Sequence, residues 1–197
     1  MSITRGGNRA GAKGLRRRER RETGPPPPCA VRGLRIYKKH PSFPKEMFTI
    51  LEGMKQKTQI DAAFVGLHCT NVVRFATESW RFEFDERTTL DVRCPWRIIR
   101  KGGIALGNAD DGQQFGLPSS VDGKREALRL LADRIVTVTI RENTADLVLE
   151  LEHGTYFEIF NSSSGYEGWE CSSKNGLLLV ARGGGELGMW ITDPPMA

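Results

Sequence analysis

No run of residues in this sequence is apolar for anything near the roughly 18 positions that a membrane-spanning helix needs; the stretch from Gly176 to Ala181 is among the longest. The arginines near the N-terminus have no apolar segment behind them, which excludes a secretory signal, and the four prolines at 25–28 break any amphipathic transit helix there. Cysteine is scarce: Cys29, Cys69, Cys94 and Cys171 lie far apart with no C-x-x-C pair. That spacing argues against a zinc site and against a disulfide scaffold. Cys94 and Cys171 alternate with apolar residues in strand-like segments, so they read as small buried hydrophobes in a reducing, cytoplasmic protein. Histidine is scarcer still, at three (His40, His68 and His153), and no serine sits in a G-x-S-x-G elbow. A Cys69–His153 pair is conceivable as a nucleophile and base, but a structural role for both is the stronger reading. The sequence calls for no metal and no cofactor, lacking both a His/Cys cluster and an Asp-rich calcium loop.

What is there is charge, unevenly spread. Residues 1–39 hold twelve Lys/Arg against two acids, a net of +10, whereas residues 40–197 hold seventeen against twenty-two, a net of −5. The pI near 9.2 therefore comes from the tail, and the body is acidic. Residues 1–41 are rich in Gly, Arg and Pro and nearly empty of large apolar side chains, so burial cannot offset the entropy of ordering them. Two readings of this segment stay open. One is a disordered arm whose Arg16, Arg17, Arg18, Arg20 and Arg21 neutralise phosphates without sequence specificity. The other is a stretch upstream of a true start at Met47 or Met54. A short helix is expected over 42–54, with Ser42 as cap, Pro44 in the first turn, and Met47, Ile50, Leu51 and Met54 on one face.

From Ile60 the pattern turns to period two, and residues 55–192 read as one domain, followed by a disordered end at 193–197. After a strand over Thr70–Ala76, Trp80, Phe82 and Phe84 alternate with charged residues, as do Leu90, Val92 and Cys94, which makes a hairpin. The arrangement recurs 67 residues later, with Leu147, Leu149, Leu151, Phe157 and Ile159 in the matching places. This copy is also preceded by a strand, Ile135–Arg141, with Val136, Val138 and Ile140 expected on one face. Between the copies, Gly103–Val121 reads as loop. Asp122 then caps a helix of about ten residues with Ala127, Leu128 and Leu131 inward. A hairpin closes the chain, from Tyr166–Cys171 through Asn175-Gly176 into Leu177–Ala181, and Gly183–Gly185 turns into a last short strand ending near Trp190. The expected fold is α+β and mainly antiparallel, with two strand–hairpin units joined by a loop and one helix, plus the closing hairpin.

The C-terminal residues carry a resemblance. Tyr166-Glu167-Gly168-Trp169, then Asn175-Gly176, then Gly184-Gly185-Glu186 followed by Trp190, resemble an uncharacterised bacterial domain family with Y-E-x-W followed by G-G-E-x-x-x-W. Gly66-Leu67, the aromatic alternation at 80–84 and Pro95-Trp96-Arg97 fit as well, so the resemblance spans about Ile60 to Trp190. It implies a compact β-rich protein with no assigned reaction. Small acidic domains of this kind are similar in style to immunity proteins that neutralise bacterial toxins.

Candidate sites follow from these residues. Tyr166, Glu167, Trp169, Glu186 and Trp190 form the candidate binding set. In it a Trp169–Trp190 pair, if exposed, would be a hot spot, while the Glu167/Glu186/Tyr166 cluster offers acid–base chemistry as a hydrolase alternative. Gly183–Gly185 reads as a turn rather than a phosphate loop, because strand rather than helix follows. The favoured expectation is a non-enzymatic domain that binds another protein, and a basic partner would suit its acidic body. Nucleic acid is the partner only if the arm is translated, no membrane partner is expected, and oligomeric state is left open.

Overall fold

The computed structural model describes residues 45–76 and 78–191, with side chains of the first helix described from Gly53 onward. The basic arm with Arg16, Arg17, Arg18, Arg20 and Arg21, the Ser42 cap, most of the proposed 42–54 helix face and the 193–197 end lie outside the described residues.

The first helix, α1 (Lys45–Phe64), continues past Met54 because Ile60, Ala63 and Phe64, at helical spacing, enter the core. The change to period two therefore comes after this helix and not at Ile60. Then follow β1 (Cys69–Ala76), β2 (Ser79–Phe84) and β3 (Thr89–Val92) as a meander, and β4 (Trp96–Arg100) and β5 (Gly103–Gly107) as a hairpin. After α2 (Gly123–Leu130) come β6 (Ile135–Ile140), β7 (Leu147–Leu151) and β8 (Thr155–Ile159), a second meander. The chain ends in β9 (Trp169–Ser172), β10 (Leu177–Ala181) and β11 (Leu187–Ile191). Two sheets result, of six strands in the order β1-β2-β3-β9-β10-β11 and five in the order β5-β4-β8-β7-β6, with every pair antiparallel.

Alternation builds the core. Trp80, Phe82, Leu90, Val92, Trp169 and Cys171 of the larger sheet, and Trp96, Ile98, Leu147, Leu149 and Phe157 of the smaller, are buried. Phe82 meets Trp96 edge-on at 5.4 Å and Phe157 at 4.6 Å, and Trp80 meets Trp96 edge-on at 5.0 Å. Such pairs add about 0.5–1.5 kcal/mol each beyond the area they bury. The helices flank this core: α2 packs against β1, and α1 against β6. Asp122 caps α2 as expected, its carboxylate accepting from the Arg125 N–H at 3.2 Å. Among the described residues no helix is long and apolar enough to cross a membrane.

The 67-residue correspondence extends to backbone dihedrals. Phe84 and Leu151 enter their turns at φ/ψ of −105/164° and −106/163°; Glu86 and His153 are left-handed at 57/26° and 63/19°; Thr88 and Thr155 leave at −83/130° and −90/135°. Both threonines are buried. The two halves also exchange strands. After its meander the first half crosses to the other sheet, where β4 pairs with β8; the second half crosses back, where β9 pairs with β3.

Three expectations are corrected. Gly103–Gly107 is a strand: Lys101 and Gly102 (φ 54° and 77°) make a tight left-handed turn after β4, and β5 escapes notice because Leu106 is its one buried residue. Val136 is exposed, because a register shift between Ile135 and Thr137 reverses the strand's phase. Cys94 lies between β3 and β4, half-buried, while Cys171 is fully buried as expected.

Because each sheet needs strands from both halves, neither half can bury its own meander. Residues 1–117 and 118–197 produced as separate fragments are expected to lack a cooperative thermal transition by circular dichroism and to regain one on mixing. A fragment melting cooperatively alone would refute the interdependence.

Candidate functional site

The two crossings run side by side. The Arg93 N–H donates to the Gly168 carbonyl at 2.8 Å, which ties the β3–β4 link to the β8–β9 link. Between them and the β1–β2 turn opens a cleft of about 640 Å³ whose walls include Glu78, Arg93, Cys94, Pro95, Tyr166 and Glu167. Tyr166 stands at its rim, 82% exposed. A smaller hollow of about 230 Å³ shares Arg93 with the cleft and reaches Phe75, Arg81 and Asp91. There Phe75 is 62% exposed, with the Arg81 guanidinium 5.2 Å from its ring centre. Arg81 in turn holds Asp91 through two hydrogen bonds of 2.7 and 2.8 Å. Asp91 faces Glu170 across the β3–β9 ladder, so two carboxylates are neighbours on this side of the sheet.

A knot of polar contacts fixes the Tyr166 loop. The Ser163 hydroxyl accepts from the Gly165 and Tyr166 N–H groups at 3.2 and 2.8 Å. The Asn161 amide donates to the Thr144 and Arg182 carbonyls at 3.0 and 2.9 Å, and its backbone N–H donates to the Asp146 carboxylate at 2.9 Å. Gly184 N–H donates to the Ser163 carbonyl at 2.9 Å. A Cβ on Gly183 would lie 2.5 Å from the Gly165 backbone, and one on Gly185 would strike the Asn143 carbonyl. The Gly183–Gly185 turn thus serves close backbone approach and is followed by strand, as the sequence implied.

The candidate residues separate. Tyr166 and Glu167 share the cleft. Trp169 is buried beneath it, its indole N–H donating to the Ala145 carbonyl at 2.8 Å, so it presents nothing to a partner. Trp190 lies on the opposite face of the sheet, because register places it beside Leu178 while Trp169 falls beside Ala181 on the core side. The expected Trp169–Trp190 pair therefore does not form. The Trp190 ring rests against Gly188, with Arg182 5.4 Å from its centre, and Glu186 is exposed at 3.6 Å from Arg182. Glu186 is not among the residues lining the cleft, so Glu167 and Glu186 do not face each other across it. Glu78, Arg93 and Pro95 were missed by sequence reasoning. They become neighbours of Tyr166 only through the strand exchange, which leaves no local signal.

Thiol chemistry is suppressed here. Burial, with the Asp146 charge behind it, pushes the Cys94 thiol up to about 12, and burial does the same for Cys69. The Cys69 Sγ–H donates to the Asn71 carbonyl at 3.4 Å. His153 instead sits 3.5 Å from Asp133 in its own turn, so the two do not act as a pair. Among the described residues no three His, Cys, Asp or Glu side chains are grouped to hold a metal ion.

Residues 55–191 match the model of a family of unknown function, DUF6188, and the chain belongs to that family. No curated protein and no solved structure matches it.

Two outcomes follow from this geometry. Gly185→Ala, at φ 89° and against the Asn143 carbonyl, is expected to cost more than about 1 kcal/mol in a urea titration; an unchanged midpoint would contradict the packing. Raised thiol pKa values mean little thiolate below pH 9, so iodoacetamide at pH 8 should leave Cys69 and Cys94 unmodified in the native protein and label both in urea, as peptide mass mapping would read.

Proposed function

We propose that this domain binds another protein without catalysing a reaction, and that its docking surface is the cleft between the two strand crossings together with the adjoining Phe75 hollow. The observation that carries this reading is the exposed Tyr166 beside Glu167 and Glu78 on a loop held rigid from beneath. Rigid aromatic anchors next to charged groups are what alanine scans find at the centres of interfaces. Phe75 supplies a second anchor, and Arg93, lining both hollows, joins them into one surface.

The partner is basic. Residues 40–197 carry a net −5, and Glu78, Glu167, Asp91 and Glu170 lie at or beside the surface. A lysine or arginine of the partner enters the cleft between the carboxylates while its neighbours lie against Tyr166, an arrangement that speeds encounter and selects by charge. The role is similar in kind to an immunity protein covering a basic toxin, and it suits the cytoplasm, where the free Cys69, Cys94 and Cys171 stay reduced.

Capture from lysate of the native host, followed by calorimetric titration of the purified protein captured, tests this. The expected partner has a pI above about 9, binds more weakly as salt rises, and loses at least about tenfold in affinity to Y166A and to the pair E78K/E167K. A partner that is acidic, or that binds all these variants as tightly as the wild type, would overturn the proposal.

A further inference from the structure

Among the described residues Arg93 alone lines both the Tyr166 cleft and the Phe75 hollow. Its backbone is pinned there: Val92 before it is fully buried, Cys94 after it is half-buried, and its own N–H is held by the Gly168 carbonyl. The side chain, by contrast, is exposed. Other arginines of the two sheets are committed to carboxylates of this chain: Arg74 to Asp111, Arg81 to Asp91, Arg97 to Glu158 and Arg182 to Glu186. Among the described residues Arg93 has no such partner, although Glu78 and Glu167 share the cleft with it. Asp91, in the hollow, is already held twice by Arg81.

Such a cation is out of place on a surface that selects a basic partner. Left alone it repels the partner's charge, and covering it strips water from the five N–H donors of its guanidinium. A partner that touches both Tyr166 and Phe75 must cover it, because Arg93 stands where the two hollows join. The contact is favourable only where the partner supplies an acceptor. A carboxylate fits best, since the planar fork of the guanidinium meets it through two parallel hydrogen bonds. Arginines paired in this way near the centre of an interface are among the residues whose loss costs most.

We propose that the partner, basic overall, places one carboxylate on Arg93 beside the basic side chain that enters the cleft. The surface then reads a segment of mixed charge, and a segment carrying positive charge alone is rejected at Arg93. This rests on the protein-binding reading given above and names the residue that makes it specific.

Selection of a random peptide library displayed on phage, against the full chain and its R93Q variant, tests this. R93Q keeps the backbone bond to Gly168 and removes the charge, and the basic residues 1–41 are common to both proteins, so they cause no difference between them. Peptides retained by the wild type and lost on Y166A are expected to carry Asp or Glu beside Lys or Arg, and those selected on R93Q to carry Lys or Arg alone. In a selected peptide made by synthesis, changing the acid to its amide tests the same bond without altering the protein. That change is expected to weaken binding to the wild type at least about tenfold and to leave binding to R93Q within about twofold. Wild-type peptides that carry basic residues only, and that R93Q binds as tightly or more tightly, would overturn the role of Arg93 and leave the protein-binding reading standing. Selected peptides that all bind Y166A as well as the wild type would overturn both.

Discussion

The pairing of β3 with β9, and of β8 with β4, is the constraint on which the rest of this structure depends. Each of these ladders joins strands from different halves of the chain, Leu90 beside Cys171 in one and Ile98 beside Phe157 in the other. Without them each meander would be a three-stranded sheet with an open edge and one unburied apolar face. With them the aromatic cluster of Trp80, Phe82, Trp96 and Phe157 closes between two complete sheets. The helices follow the same reciprocity, each lying against the first strand of the other half.

The exchange also explains where the cleft lies. A chain that leaves one sheet for the other must pass across the end of the sandwich, and here two such passages are bound together at Arg93 and Gly168. Backbone freed from ladders at that point needs other partners. Asn161, Ser163 and Asp146 provide them. The residues Gly168-Trp169 and Gly183–Gly185 are best understood as parts of this knot: the tryptophan caps a buried carbonyl, Gly168 leaves room for the Asn161 side chain, and Gly183 and Gly185 let backbone touch backbone. Tyr166 and Glu167 differ from them in kind, being exposed side chains that the knot holds in place.

Left-handed residues mark the places where the chain bears conformational cost. Glu86 and His153 bear it in the two matching turns, where a conformation opposed by roughly 1 kcal/mol per residue is repeated at the same point of each half. There the reward is visible, since each turn brings two core strands into register. Phe115 bears a similar cost in the connecting loop without a comparable reward inside its own chain.

Much of the fold was legible in the amino-acid order, because alternation is a local property. Trp80-Phe82-Phe84 and Leu147-Leu149-Leu151 each declare a strand with one buried face, and their spacing declares the repeat. Asp122 declares a cap because its hydrogen bond reaches only three residues along. The β5 strand was hidden, since a segment with one buried residue has no alternation to read. Val136 was misplaced, since a bulge shifts phase without altering composition. For the site, the sequence offered Tyr166, Glu167, Trp169, Glu186 and Trp190 as one set, of which Tyr166 and Glu167 share the cleft while Trp169 and Trp190 lie on opposite faces of the sheet. Two tryptophans near in sequence, on strands of one sheet, are parted by which face each register position takes, and register is set only when the strands pair. Glu78, Arg93 and Pro95 come from a different half than Tyr166, so only the crossing of the chain between sheets could bring them together. Composition and period decided which segments become strands; the tertiary structure alone decided which ends meet, because meeting depends on contacts distant in sequence.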